Sequence, residues 1–198
     1  MRIVVLLQTL GFAALFGLAG CAPAALTEGD LAAVAHPSAQ VQAEVAQLLP
    51  VAMRELDPIE AHILAAGRPL TPVEMGFARR AGVAHPEKVR VLAWPQAFRP
   101  PEDKAFAKVY HPQGAFAITF GYGIALRKEA PWVLAHELVH VGQYERLGGR
   151  EAFTRAYLTQ TLVLKTYAIP LEREAFKRGN QISPVPQGAT RRWIETLQ

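Results

Sequence analysis

The sequence predicts an α+β fold: one mostly helical domain with a small β-sheet packed on a central, buried helix. Three observations carry this. Helix start and stop signals recur along the chain, the clearest being Thr71-Pro72-Val73-Glu74 followed by Gly82. Two stretches, Lys88–Trp94 and Ala115–Arg127, hold the β-branched and aromatic residues that strands favour. Val133–Tyr144, VLAHELVHVGQY, surrounds two histidines and a glutamate with Val133, Leu134, Leu138, Val139 and Val141, which marks a helix sunk in apolar surroundings.

Taken in order, the chain opens with Met1-Arg2 and an apolar run, Ile3–Leu18, interrupted by Gln8 and Thr9. The run is short for a membrane span and suits the core of a signal peptide. It ends in Leu18-Ala19-Gly20-Cys21, and Cys21 is the one cysteine of the 198 residues, so no internal disulfide can form. The box resembles a bacterial lipoprotein cleavage site, with small residues admitting the peptidase and the Cys21 thiol taking the lipid. That resemblance implies a signal peptide over residues 1–20, lipidation at Cys21 and anchoring in the bacterial envelope on the periplasmic face. By resemblance to enteric lipoproteins, Ala22 rather than Asp after the cysteine implies the outer membrane rather than the inner. Residues 21–37, rich in alanine, read as a tether. Loss of the signal removes Arg2 and leaves 20 basic against 17 acidic residues, a charge of about +3. That is too mild for a nucleic-acid partner.

The remaining residues, 38–198, are long enough for one domain with its own core. Ser38 can cap a helix whose apolar positions Val41, Val45, Leu48 and Leu49 recur at helical spacing, and Pro50 is expected to kink or end it. Asp57-Pro58-Ile59-Glu60 reads as a second capping box, with Gly67 as its stop. Thr71 to Gly82 gives a third helix. Lys88–Trp94 is expected as a strand, Gln96–Lys104 as a loop, and Ala115–Arg127 as a second strand that Gly121 and Gly123 weaken or bulge. Pro131 suits the first turn of the central helix and Gly148-Gly149 its stop. Glu151–Tyr167 is expected to cross back, Pro170 to Gly179 to form a short helix, and Thr190–Leu197 a last helical segment.

The central helix carries the chemistry. His136-Glu137-Leu138-Val139-His140 is an H-E-x-x-H motif. Side chains four apart stand one above the other on a helix, so the two imidazoles can grip one zinc ion at about 2.0–2.1 Å. Glu137, about 100° round the helix, is turned away from that ion but can take a proton from water beside it. Catalytic zinc takes three protein ligands. A pattern with glycine and then a third histidine at the next turns is excluded, since Gln143 and Arg146 hold those positions, and no histidine follows His140. The third ligand is then a carboxylate from a later helix, with Glu172 and Glu174 both in reach.

Here the chain resembles small zincin peptidases of the gluzincin type, in which H-E-x-x-H is followed by a glutamate on a second helix. The resemblance covers roughly residues 115–178. Ala175, three residues after Glu172, matches a pattern of such families and favours Glu172 over Glu174. Phe176 stands where an aspartate often follows, which leaves the partner of a histidine ligand unassigned. The resemblance implies a zincin-type domain over 38–198, Zn2+ held by His136, His140 and Glu172, Glu137 as general base, and a peptide or protein substrate in the envelope. It also implies that the strand before the zinc helix borders the cleft and receives substrate as an added strand. His111 and Tyr122 are candidates to line that cleft, and Tyr157 and Tyr167 to hold an oxyanion or simply to pack. His36, His62 and His85 are expected to play no metal role. The expected activity is zinc-dependent peptide hydrolysis. The alternative is a zincin-fold lipoprotein that keeps its metal and serves as a binding or scaffolding module.

Overall fold

A computed structural model of the protein describes residues 25–97, 104, 115–166 and 168–186. The signal segment, Cys21, His111, Tyr167 and the segment Thr190–Leu197 lie outside the described residues. The expected tether is helical over α1, Glu28–Ala35, where Thr27 and Asp30 cap each other reciprocally. Among the described residues no helix is long and apolar enough to cross a membrane.

The two helices expected on either side of Pro50 are one. Helix α2 runs unbroken from Ala39 to Ala66, starting at the Ser38 cap and passing through Pro50 and Pro58. An interior proline removes one helical hydrogen bond and crowds the preceding turn, a cost of about 3 kcal/mol. Burial on each side of both prolines opposes the break. Val45, Leu48, Leu49 and Ala52 pack with Leu158, and Ile59 and Ile63 pack on the sheet. A buried aliphatic side chain contributes about 1.5–3 kcal/mol, so these residues together outweigh both breaks. The predicted capping box at Asp57–Glu60 therefore does not form. Glu60 is buried instead. Its carboxylate accepts from the Tyr122 backbone N–H at 2.8 Å and pairs with Arg150, which also meets Asp57 at 2.9 Å.

After Gly67 comes a two-residue strand, β1 (Arg68–Pro69), which no local pattern predicts. Helix α3, Pro72–Ala81, has the predicted capping box and ends at Gly82 in the left-handed conformation, φ +85°. Strand β2, Arg90–Ala93, is the predicted strand trimmed at both ends: a 3-10 turn, Pro86–Lys88, takes its start, and a single helical turn, α4 (Trp94–Ala97), takes Trp94 and runs into the predicted loop. The second predicted strand is a hairpin: β3, Ala117–Phe120, turns at Gly121-Tyr122 into β4, Gly123–Leu126. Gly121 sits at φ +62°, and a Cβ there would run into the Glu60 carboxylate. Only glycine adopts that backbone freely.

The sheet order is β1-β2-β4-β3, with β2 and β4 parallel and the other pairs antiparallel. Alternation sorts its side chains by face. Val91, Ile124 and Leu126 face one core, shared with Trp132, Val133 and Leu138. Leu92, Phe120 and Ala125 face the other, shared with Ile59 and Ile63 of α2. The sheet thus lies between α2 and helix α5, Pro131–Leu147. The latter starts at Pro131 and stops at Gly148, φ +97°, as predicted, and every residue from Trp132 to Gln143 is buried. Two further helices complete the fold: α6, Arg150–Leu164, and α7, Pro170–Ile182.

Gly179 was expected to end the helix that starts at Pro170; α7 runs on to Ile182. The glycine serves a different purpose. A Cβ on it would lie 2.9 Å from His136 Cα and 3.0 Å from His136 N, so its absence lets α7 press against α5 at the first histidine. Gly142 does the same on another side, where a Cβ would lie 2.8 Å from the Ala81 carbonyl at the end of α3.

Candidate metal centre

The pitch of α5 puts His136 and His140 one turn apart on one face, with their rings 4.7 Å apart between centroids. Helix α7, brought close by Gly179, lays Glu172 across them. His136 Nε2 lies 3.2 Å and His140 Nε2 3.4 Å from Glu172 Oε2, and the two Nε2 atoms are 3.0 Å apart. Both histidines are buried and the Glu172 side chain is 12% exposed. An ion with bonds of about 2.0–2.1 Å in tetrahedral geometry would hold its ligand atoms about 3.3 Å apart. The triangle of two nitrogens and one oxygen fits that spacing. Among the described residues, these three form the His/Cys/Asp/Glu group able to hold a metal ion.

The acceptor atoms of the triangle are held from outside it. The Tyr157 hydroxyl of α6 donates to Glu172 Oε1 at 2.8 Å, leaving Oε2 to face the histidines. On α5, His140 Nδ1 lies 2.8 Å from Gln143 Oε1. Gln143 is fully buried, and its amide nitrogen donates to the Leu171 carbonyl at 2.9 Å and to Glu174 at 3.1 Å. Glu137 is buried beside the triangle. The Thr119 hydroxyl of β3 lies 2.8 Å from its Oε2 and 3.1 Å from its backbone carbonyl.

Charge reinforces the arrangement. Burial alone would drive His140 neutral, yet the Glu172 carboxylate beside it pushes its pKa up to about 9. Burial alone would raise Glu172, and the neighbouring His140 and His136 outweigh it, holding the carboxyl well below its usual range. The three side chains thus form a buried group in which the Glu172 carboxylate and the His140 ring favour each other's charged forms.

Of the two carboxylates in reach on α7, Glu172 meets the histidines and Glu174 does not. Glu174 points to Arg146 at 2.7 Å, Arg178 at 3.0 Å and Gln143. The other histidines among the described residues stand apart. His62 meets the Gln96 carbonyl at 2.9 Å, His85 meets Glu87 at 3.3 Å, and His36 sits at the C-terminal cap of α1. Tyr122, a candidate cleft residue, donates to Glu145 at 3.0 Å and packs edge-on against Tyr144. Tyr157, weighed as an oxyanion donor, holds a candidate ligand instead. Two residues escaped the sequence reading. Gln143 had a signal, since it stands three positions after His140 on a buried face. Thr119 had none, because only the packing of β3 on α5 brings it to Glu137. No protein-family model, curated protein or solved structure matches this chain.

Proposed function

We propose that the protein is a zinc-dependent peptidase of the gluzincin type, tethered in the bacterial envelope by lipid on Cys21. The observation that carries this reading is the triangle of His136 Nε2, His140 Nε2 and Glu172 Oε2, with the Glu137 carboxylate fixed beside it by Thr119. Two imidazoles and a carboxylate at tetrahedral spacing are a donor set that suits zinc, with one position left for substrate or water. When bound, zinc supplies Lewis acidity, acidifying water and polarising a carbonyl.

The protein's own groups do the rest. Glu137 takes the proton from the attacking water and returns it to the leaving amine, so that water and a peptide bond become a carboxylic acid and an amine. Thr119 keeps the carboxylate aimed, and Tyr157 keeps Glu172 from swinging away. Among the described residues no strand pairs with the outer edge of β3, the strand that carries Thr119. A peptide adding itself there would bind through main-chain hydrogen bonds with little demand on sequence. The envelope reading rests on Leu18-Ala19-Gly20-Cys21 and on the apolar segment before it.

The test is Glu137→Gln in the full chain, purified without chelators and assayed on a fluorescence-quenched peptide library. Zinc content should stay at one per chain while hydrolysis falls by about 10²–10⁴-fold. Equal turnover in the variant would refute the assigned role. Stoichiometric zinc with no hydrolysis by the unmodified protein would favour a binding module in its place.

A further inference from the structure

We infer that Gln143 is a positioning residue that sets two metal ligands at once, and that Glu174 orients it. The inference rests on the metal reading of His136, His140 and Glu172. It starts from the amide of Gln143, which has no exposure to water. On one side it faces the Leu171 carbonyl at 2.9 Å and the Glu174 carboxylate at 3.1 Å. Both are acceptors, so the NH2 group must occupy that side. The amide oxygen then faces His140 Nδ1 at 2.8 Å, and an amide oxygen only accepts. Nδ1 therefore carries a hydrogen. A neutral His140 is left with its lone pair on Nε2, the atom that points to Glu172 and His136. Without the acceptors on the far side, the amide could turn over and present its NH2 to the ring, and the opposite tautomer would be favoured.

The same NH2 group acts on the other ligand. Leu171 directly precedes Glu172, so the bond to its carbonyl ties the backbone of α7 to α5 one residue from the carboxylate. Gln143 thus orients His140 through its oxygen and sets the register of Glu172 through its nitrogen. Glu174 is held for its task by Arg146 at 2.7 Å and Arg178 at 3.0 Å, and Arg178 is itself anchored on the Ala81 carbonyl at 2.9 Å. This network supplies the histidine partner that Phe176 cannot. It also gives the two neighbouring glutamates separate roles: Glu172 meets the histidines and Glu174 orients Gln143.

Zinc affinity, measured by competition with a chromophoric chelator, separates the roles. Gln143→Leu should bind zinc about 10–100-fold more weakly than the unmodified chain. Glu174→Ala should lose about tenfold, whereas Glu174→Gln should stay within about threefold, because an amide oxygen still accepts from Gln143. Equal behaviour of the two variants overturns the inference. Imidazole 15N resonances of the zinc-loaded chain should show His140 bonded through Nε2 with a slowly exchanging Nδ1 hydrogen, which exchanges faster in Glu174→Ala. Bonding through Nδ1 would also overturn it. If Gln143→Leu does not fold, the two Glu174 variants decide, since that side chain is 32% exposed. An unmodified chain that binds no zinc would sink the metal reading and this inference together. Zinc binding that the variants leave unchanged would sink this inference alone.

Discussion

The hydroxyl of Thr119 donates to the carboxylate of Glu137 at 2.8 Å, joining an outer strand of the sheet to the helix that carries the candidate metal ligands. The two residues belong to different elements, and the contact depends on which face of β3 Thr119 occupies. Thr119 pairs with Ile124, which packs against α5. Replacing Thr119 with valine keeps the shape and removes the donor. Zinc content should be unchanged, kcat should fall by roughly 10–100-fold through loss of aim, and stability should fall by about 1 kcal/mol. A peptide-hydrolysis assay run beside metal analysis checks it, and an unaltered kcat would show that Glu137 needs no such support.

Tyr157 holds Glu172 by the oxygen that faces away from the histidines. Tyr157→Phe should weaken zinc binding by about tenfold, since groups that orient a ligand typically account for 10–100-fold in affinity. Glu172→Ala, which deletes the ligand itself, should abolish stoichiometric binding. Chelator competition on both variants compares them. If Glu174→Ala proved the more damaging of the two glutamate changes, the assignment of the third ligand would be wrong.

With His140 as a proposed ligand, proton and metal would compete for its ring. Without metal its pKa is raised to about 9, above the ordinary 6.5, so near pH 7 it carries a proton that the ion must displace. Zinc affinity should therefore rise from pH 7 towards pH 9, by up to about tenfold per unit for one proton released. The sign for the metal-free fold is opposite. A raised histidine pKa contributes stability that is fully present below about pH 6.5 and is lost as the pH climbs through about 9. Metal titrations in buffers of different ionisation enthalpy would count the proton, and an affinity flat over this window would contradict the pairing.

Gly179→Ala sets two effects against each other. Alanine favours an interior helical position over glycine by about 1 kcal/mol. Its Cβ, however, would lie 2.9 Å from the His136 backbone, where no flexible side chain can yield. Overpacking of this kind typically costs about 1–3 kcal/mol, so a net loss of stability is expected. The forced separation of α7 from α5 should also weaken zinc binding. Thermal unfolding with and without zinc reads both. A variant more stable than the parent would mean that the helices part without cost.

Much of the fold was legible because it is written locally. The capping box of α3, the stop at Gly148 and the pairing of His136 with His140 all follow from the few residues around them. Where the reading failed, distant residues had outweighed a local rule. Pro50 and Pro58 break isolated helices, yet Leu158 and the sheet bury the residues on either side of them. Glu60 looked like a cap and became the anchor of a hairpin turn, because Tyr122 and Arg150 come to it from 62 and 90 positions away.

The sequence by itself determined the helix with its two histidines and glutamate, because a repeat of 3.6 residues places positions 136 and 140 together wherever that helix forms. Only the tertiary structure set Gln143 against His140 and brought Thr119 to Glu137, and it laid Glu172, the glutamate that Ala175 favoured, against the histidines. These contacts depend on how two helices and a strand edge meet, and the close approach of α7 to α5 at Gly179 comes from packing between residues far apart in the chain.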